Sequence, residues 1–375
     1  MNMNSKFQPL FEKLTLRNGR ELKNRVVMAP MTNFASHEDG TVSQDELKYY
    51  ARRSGGAGMV ITACTYVTPN GKGFPGEFGG HSDEMIESLR SLAATIKEQG
   101  AAAVLQIFHG GRSCPANLVP DGDVVSASAI PAEAEGAVTP RELTEAEVDE
   151  IIKAFGDTTR RAIQAGFDGV EIHGANGYLV QQFFSPHSNR RTDRFGGSLE
   201  KRMTFPLAIV EEVKKVVAAE ADPSFIVGYR FSPEEPETPG ITMEDTAALV
   251  NALAEQQLDY LHISLMEIDS KARRGADPSR TRLELVLETI AGRTPLIGVG
   301  SIHTPDEAVA ALESGSAMVA LGRELIMEPD WVEKVQQGRE AEIRTTVSKD
   351  DQAELVVPDA LWAAIINSPG WFPVK

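Results

Sequence analysis

One short stretch of the chain places three side chains that can polarise and protonate a carbonyl compound within six residues. His173 ends the apolar run FDGVEIH, and Asn176 and Tyr178 follow it. The imidazole and the amide can both donate hydrogen bonds to one carbonyl oxygen, which stabilises negative charge developing there. The Tyr178 phenol, with an ordinary pKa of about 10, can protonate a carbanion-like centre. Reduction of a conjugated carbonyl needs these groups, although a buried histidine and a tyrosine packed in the core would give the same triplet.

Other polar side chains lie near the ends of further apolar runs. These are Thr32, Cys64, Gln106 and Arg230. The amide of Gln106 suits a ligand that presents both donors and acceptors, and Arg230 suits either delocalised negative charge or a buried ion pair. The chain contains neither HExxH nor GxSxG, and its two cysteines form no CxxC pattern. The sequence therefore predicts no metal site, serine nucleophile, disulfide framework or iron–sulfur cluster.

The elements that must position these residues follow a repeating order. Eight short apolar runs span residues 25–31, 58–64, 102–108, 167–173, 225–231, 259–265, 295–301 and 317–323. Runs that are apolar throughout their middle are typical of parallel strands covered on both faces. Because most of them precede an amphipathic helical pattern, we predict an α/β fold of the (β/α)8 TIM-barrel type. A doubly wound sheet would need a glycine-rich turn after the first strand, where PMTNFAS stands instead.

The predicted helices include residues 82–100, 144–166 and 199–220, with a capping box at Thr144 and Glu147 and C-caps at Gly100 and Gly166. Residues 110–140, rich in Gly, Pro, Ala and Ser, are predicted to form a long active-site loop or hairpin. We expect one domain over 1–375, with a barrel core at about 7–338 and a C-terminal tail, 339–375, packed on the barrel.

Two glycine-bearing turns follow the last two predicted strands, at Gly300-Ser301 and Gly322-Arg323. Barrels commonly bind phosphate at these positions, where backbone N–H groups converge. Arg323 would supply local positive charge, although each glycine alone is also explained by a simple turn. Both turns together favour a phosphate site.

The overall charge restricts the partners. Lys and Arg total 37 against 54 Asp and Glu, so the net charge is −17. This charge opposes binding to nucleic acid and to anionic lipid. The N-terminal sequence has no signal pattern and no apolar run reaches membrane-spanning length, which predicts a cytoplasmic protein.

From about Phe7 to Trp331 the chain resembles the Old Yellow Enzyme family of FMN-dependent ene-reductases. The strongest segment is HGANGYLVQQFFSPHSNRRTDRFGGSLEKR, whose Arg-rich part resembles the family's ordered loop at the barrel mouth. NRVVMAPM, LQIFHGGR, GVGS and ALGRELIMEPDW complete the pattern in the expected order.

The resemblance implies non-covalent FMN in the barrel mouth, with NAD(P)H as electron donor. The residues implied to contact the flavin ring are Ala29, Pro30, Met31, Thr32, Cys64, Gln106 and Arg230. Those implied to hold the phosphate are Gly300, Ser301, Gly322 and Arg323. His173 and Asn176 would bind the substrate carbonyl beside Phe34, and Tyr178 would donate the proton.

Some positions depart from one bacterial branch of the family, which has cysteine at the position of Thr32, tyrosine at that of Phe34 and often histidine at that of Asn176. Flavin potential and substrate preference therefore cannot be copied from that branch. The predicted activity is reduction of an electron-poor alkene such as an enone. The alternatives are reduction of nitro compounds, nitrate esters or quinones, and a flavin-holding redox protein without dedicated turnover. The oligomeric state stays open and includes a homo-oligomer.

Overall fold

In the computed structural model, which describes residues 3–375, eight parallel strands form a closed barrel. They are β1 (Val26–Met28), β2 (Met59–Ile61), β3 (Ala102–Phe108), β4 (Gly169–Gly174), β5 (Ile226–Phe231), β6 (Tyr260–Ile263), β7 (Leu296–Gly298) and β8 (Met318–Leu321). Each strand pairs with its neighbours in chain order, and β8 pairs with β1 through Val319 and Val26. Every predicted strand is present, and the predicted TIM barrel is confirmed.

The connecting helices lie around this barrel. They are α1 (Gln44–Arg53), α2 (Ile86–Glu98), α3 (Glu145–Ala165), α4 (Thr204–Glu220), α5 (Met243–Glu255), α6 (Arg282–Ile290) and α7 (Pro305–Glu313). Shorter helices are Leu179–Phe184 and Leu199–Arg202 after β4, Arg323–Met327 and Trp331–Gln336 after β8, and Gln352–Leu355 and Asp359–Asn367 near the C-terminus. The predicted helix at 199–220 is therefore divided at Met203.

The local signals of α3 explain where it begins and ends. The Thr144 hydroxyl accepts from the Glu147 N–H at 3.2 Å, and the Glu147 carboxylate accepts from the Thr144 N–H at 2.7 Å. Gly166 has φ +89° and ends the helix in the left-handed conformation. The predicted capping box and C-cap are both confirmed.

The barrel interior is apolar at its N-terminal end. Leu14–Thr15 pairs antiparallel with Glu21–Leu22, and Leu22 and the adjoining Leu16 pack with inward side chains of the barrel strands. This plug leaves the C-terminal ends of the strands as the open end. Polar residues that follow those ends, including the predicted site residues, therefore lie together.

The long excursion after β3 is not a hairpin, because Val125–Ser126 pairs in parallel with Arg141–Glu142. The Arg-rich stretch after β4 holds it in place. Arg191 is buried, and its guanidinium donates to the carbonyl oxygens of Ala127 at 2.9 Å and Leu143 at 2.6 Å. The Arg-rich stretch is thus an ordered loop that anchors the excursion.

The C-terminal residues contribute apolar side chains to the cluster that the barrel and its helices form. Leu361, Trp362 and Phe372 are buried in it. Among residues 3–375, we find no helix that combines the length and the apolar character needed to cross a bilayer.

Candidate active site

A cavity of about 930 Å³ opens at the C-terminal end of the barrel. This volume lies within the range of small-molecule and cofactor sites. Several residues predicted from the sequence line it: Ala29, Pro30, Met31, Asn176, Arg230, Gly300, Ser301, Gly322 and Arg323. The remaining predicted residues are not among those that line the cavity and are described below: Thr32, Phe34, Cys64, Gln106, His173 and Tyr178.

At one end of the cavity, the two glycine turns and Arg323 form a polar cradle. Arg323 donates to the Ser301 hydroxyl at 2.6 Å and to the Trp371 carbonyl oxygen at 2.9 Å. Gly300 has φ +146°, and a Cβ there would lie 2.5 Å from the Ile268 nitrogen. A side chain at this position would therefore clash, so the close approach of the two loops requires glycine.

His173 lies at the end of β4, opposite Arg230 of β5 in the sheet register. Its Nδ1 accepts from the Ala175 N–H at 3.2 Å, which leaves the proton of the neutral ring on Nε2. Burial, together with the charge of Arg230, lowers the pKa of His173 well below its ordinary value. His173 is therefore a neutral imidazole with an Nε2–H donor.

Asn176 is held in a left-handed backbone conformation with φ +59°. Its N–H donates to the Ser232 hydroxyl at 2.8 Å, and its Oδ1 accepts from the Ser264 hydroxyl at 2.7 Å. These two contacts orient the amide, so Nδ2 is the group left to donate. The residue is exposed and lines the cavity.

Tyr178 belongs to a group of aromatic rings. Its ring centroid lies 5.0 Å from that of His173 at an interplanar angle of 81°, and 5.1 Å from that of Phe108. Phe74 packs edge-on against Tyr178 at 6.1 Å and against Phe34 at 5.9 Å. Burial raises the pKa of Tyr178 far above its ordinary value, so the phenol stays protonated.

Two further predicted residues adjoin this group. The Thr32 hydroxyl and the Cys64 sulfur are 3.9 Å apart, and Cys64 is buried with Phe108 and Tyr66. Burial raises the pKa of the Cys64 thiol well above its ordinary value, so it is no thiolate nucleophile. Among residues 3–375, no three His, Cys, Asp or Glu side chains are grouped to hold a metal ion.

A buried polar layer beneath the cavity was missed by the sequence analysis. Gln106 donates from Nε2 to Glu171 at 2.8 Å. The same carboxylate accepts from the Tyr260 hydroxyl at 3.0 Å and from His262 Nδ1 at 2.9 Å. One signal was available: Glu171 and His262 interrupt apolar strands, and Glu171 precedes His173 by two residues, on the same face of the strand.

The comparisons with known proteins agree with this geometry. The family model described as NADH:flavin oxidoreductase / NADH oxidase family matches residues 9–342. The chain belongs to this family. It is 56% identical over 373 residues to the probable NADH-dependent flavin oxidoreductase YqiG of Bacillus subtilis, covering 100% of both chains. It is 43% identical over 357 residues to the NADH:fumarate oxidoreductase of Klebsiella pneumoniae, covering 94% of this chain but 38% of that protein.

Solved structures give the same assignment. The chain is similar to morphinone reductase in complex with tetrahydroNAD, with a TM-score of 0.75 and 30% identity over 88% of this chain and 91% of that one. It is also similar to the old yellow enzyme from Trypanosoma cruzi, with a TM-score of 0.76 and 31% identity over 89% and 93%. The protein is thus an Old Yellow Enzyme-type oxidoreductase that uses non-covalent FMN and NAD(P)H.

The residues present fit FMN. The cradle at Gly300, Ser301 and Arg323 supplies a cation in a chain whose net charge is −17. The Ser301 hydroxyl, which donates to the Met266 carbonyl oxygen and to Glu267, holds Arg323 in place. Arg230 is buried, and its Nε has no hydrogen-bond partner among residues 3–375, as expected of a donor that faces a ligand. Phosphate at one end and a polar ring edge near Arg230 would satisfy both features.

Proposed function

We propose that this FMN oxidoreductase reduces the C=C bond of α,β-unsaturated carbonyl compounds, with Tyr178 as the proton donor. The observation that carries this proposal is the state of two hydrogen-bonding side chains at the end of β4, the part of the chain that also carries Tyr178. His173 Nδ1 and Asn176 Oδ1 are both occupied as acceptors, by Ala175 and Ser264 respectively. Each side chain therefore presents a donor, Nε2–H or Nδ2–H, without an acceptor among residues 3–375.

Two neutral donors suit the carbonyl oxygen of an enone. Hydrogen bonds to that oxygen withdraw electron density from the conjugated alkene and stabilise the enolate-like charge that develops as the β-carbon is reduced. Because burial keeps His173 uncharged, it acts as a hydrogen-bond donor and leaves the role of acid to another group. Bound FMN would supply the hydride that it has taken from NAD(P)H.

Tyr178 is suited to the remaining step, protonation of the α-carbon. Its ring stands nearly perpendicular to that of His173 at a centroid distance of 5.0 Å. Its raised pKa keeps the phenol protonated across the physiological range, since burial disfavours the phenolate. The phenolate left after transfer lies in the field of Arg230, which favours the charged form.

The substitution Tyr178→Phe tests this role by separating the two half-reactions. Reduction of the flavin by NAD(P)H needs no proton from the phenol, so its rate is expected to stay near the wild-type value. Reoxidation by a simple cyclic enone should slow by roughly 10²–10⁴-fold, as for a lost general acid. Stopped-flow absorbance at the flavin band measures both steps. If the enone reoxidised the flavin of this variant at the wild-type rate, Tyr178 would not be the proton donor.

His173→Ala provides the contrasting variant. It removes one of two carbonyl donors, so we expect weaker enone binding together with slower hydride transfer to the enone. Comparing enones with nitro compounds, nitrate esters and quinones as oxidants of the wild-type flavin tests the substrate class. Faster reoxidation by one of the latter classes would favour that chemistry. Failure of all of them to reoxidise the flavin would indicate a protein that holds flavin without dedicated turnover.

A further inference from the structure

The buried polar layer is a hydrogen-bond network centred on a single carboxylate. Glu171, on β4, accepts hydrogen bonds from Gln106 on β3 and from Tyr260 and His262 on β6. Glu171, Tyr260 and His262 are fully buried, and Gln106 is 2% exposed. Gly228 makes room for this arrangement, since a Cβ there would lie 2.1 Å from the Tyr260 ring. The fold thus brings residues of three strands to one buried anion.

The network contains a real negative charge. Burial alone would raise the pKa of Glu171, but the facing His262, the charge of Arg230 and the hydrogen bonds lower it below its ordinary value. Burial lowers the pKa of His262, which the attraction of Glu171 opposes in part. A carboxylate with three donors is well satisfied, whereas removal of its charge would leave Arg230 without the nearest compensating anion.

This anion determines what Gln106 can offer to a ligand above it. Because one Nε2–H points to Glu171, the amide cannot rotate without placing its carbonyl oxygen against the carboxylate. Gln106 therefore presents Oε1 and its second N–H elsewhere. Two more polar atoms in the layer, His262 Nε2 and Arg230 Nε, are buried without a partner among residues 3–375. Unpartnered buried groups of this kind point toward a ligand that completes them.

We propose that Glu171 is a positioning residue for the flavin site, which fixes the orientation of Gln106 and partly offsets the charge of Arg230. Glu171 thereby sets both the affinity for FMN and the reduction potential of the bound cofactor. The assignment rests on the proposed contacts of Gln106 and Arg230 with the flavin ring. The negative charge of Glu171 opposes the addition of electrons to the flavin, so loss of this charge should make the flavin easier to reduce.

The alternative role is purely structural, in which the network only satisfies buried polar groups of the barrel. Both roles predict lower stability when Glu171 is replaced. Only a positioning role predicts a change in the flavin itself. The decisive measurements are therefore the midpoint potential of bound FMN, by equilibration with a reference dye, and the dissociation constant of FMN, by titration of the apo-protein.

Two variants separate the charge of Glu171 from its geometry. Glu171→Gln removes the charge, and we expect the flavin reduction equilibrium to shift at least about tenfold toward the reduced form, about 30 mV for a two-electron couple. Glu171→Asp keeps the charge but draws it away from Gln106. We expect FMN to bind at least about tenfold more weakly, with a smaller change in potential.

Tyr260→Phe is the matched control, since it removes one donor and keeps both the carboxylate and its contact with Gln106. We expect the flavin reduction equilibrium and the FMN dissociation constant of this variant to stay within about threefold of the wild-type values. If Glu171→Gln lowers only the melting temperature of the apo-protein, or if Tyr260→Phe shifts the potential as much, the proposal is overturned. If Glu171→Gln does not fold, unchanged FMN affinity of Glu171→Asp overturns it. Failure of the wild-type protein to bind FMN would instead contradict the cofactor site as a whole.

Discussion

At the scale of single residues, Arg323 shows how an acidic protein can hold an anionic cofactor. Its guanidinium is fixed from two sides, by the Ser301 hydroxyl and by the Trp371 carbonyl oxygen. A fixed guanidinium loses little conformational freedom when it binds phosphate, and its planar fork matches phosphate oxygens. The positive charge needed for phosphate binding is therefore supplied locally, in a protein whose net charge is −17.

Arg323→Ala should weaken FMN binding more than it changes the chemistry of protein that is still loaded. A lost hydrogen bond to a charged group is worth about 1.5–3 kcal/mol, which corresponds to roughly a 10–150-fold higher dissociation constant. Titration of apo-protein with FMN measures the affinity, and flavin reduction by NAD(P)H at saturating FMN measures the chemistry. Arg323→Lys keeps the charge but not the planar fork of the guanidinium, so its FMN affinity should lie between those of the wild type and Arg323→Ala. Unchanged FMN affinity of Arg323→Ala would show that the phosphate binds elsewhere.

Residue identity predicted some site features and not others. His173, Asn176 and Tyr178 stand out because polar groups directly follow an apolar strand, and a barrel directs such groups into its mouth. The contact between Ser264 and Asn176 could not be predicted from the sequence, because it joins residues 88 positions apart. The same holds for Gln106 and Glu171, whose pairing depends on the register between strands.

At the scale of elements, the loop between β2 and α2 forms one wall of the aromatic group. Phe74 contacts Tyr178 and Phe34, and the Glu77 carboxyl accepts from the N–H groups of Gly73 at 2.9 Å and Phe74 at 3.0 Å. Burial raises the pKa of Glu77 well above its ordinary value. The Glu77 carboxyl group thus holds the loop segment that carries Phe74.

Glu77→Ala should loosen this loop and lower stability by about 1–3 kcal/mol, because buried N–H groups lose their acceptor. The substrate pocket should also lose its ordered wall, and we expect weaker binding of bulky enones. Glu77→Gln is the control: it keeps an acceptor oxygen on a side chain of similar shape and should remain close to wild type. Thermal unfolding and enone binding to the oxidised protein measure the two effects. Equal destabilisation in both variants would show that the loop requires the carboxyl group itself.

Among the elements, regular strands and helices were predicted well, while irregular connections were not. The periodicity of the eight apolar runs and the box at Thr144 and Glu147 are local signals, and both are present in the structure. The excursion after β3 has no such period. Its parallel pairing at Val125–Ser126 depends on Arg191, which lies more than fifty residues further along the chain.

At the scale of the whole molecule, the C-terminal residues connect the outer helices to the cofactor end of the barrel. Arg53 of α1 is buried and donates to the Leu355 carbonyl oxygen at 2.6 Å. Pro369, Gly370 and Trp371 line the cavity beside Arg323. These contacts support our expectation that residues 339–375 belong to the same domain as the barrel, rather than to a separate unit.

Deletion of residues 368–375 tests this expectation at the cofactor site. The deletion removes the Trp371 carbonyl oxygen that accepts from Arg323, together with the buried ring of Phe372. We expect a lower melting temperature and FMN binding weakened by roughly tenfold or more, since a hydrogen bond to a charged group is lost. Trp371→Ala is the matched control, because it keeps the backbone carbonyl and should affect FMN affinity less. If the deletion leaves both melting temperature and affinity unchanged, the C-terminal segment folds independently of the barrel and does not support Arg323.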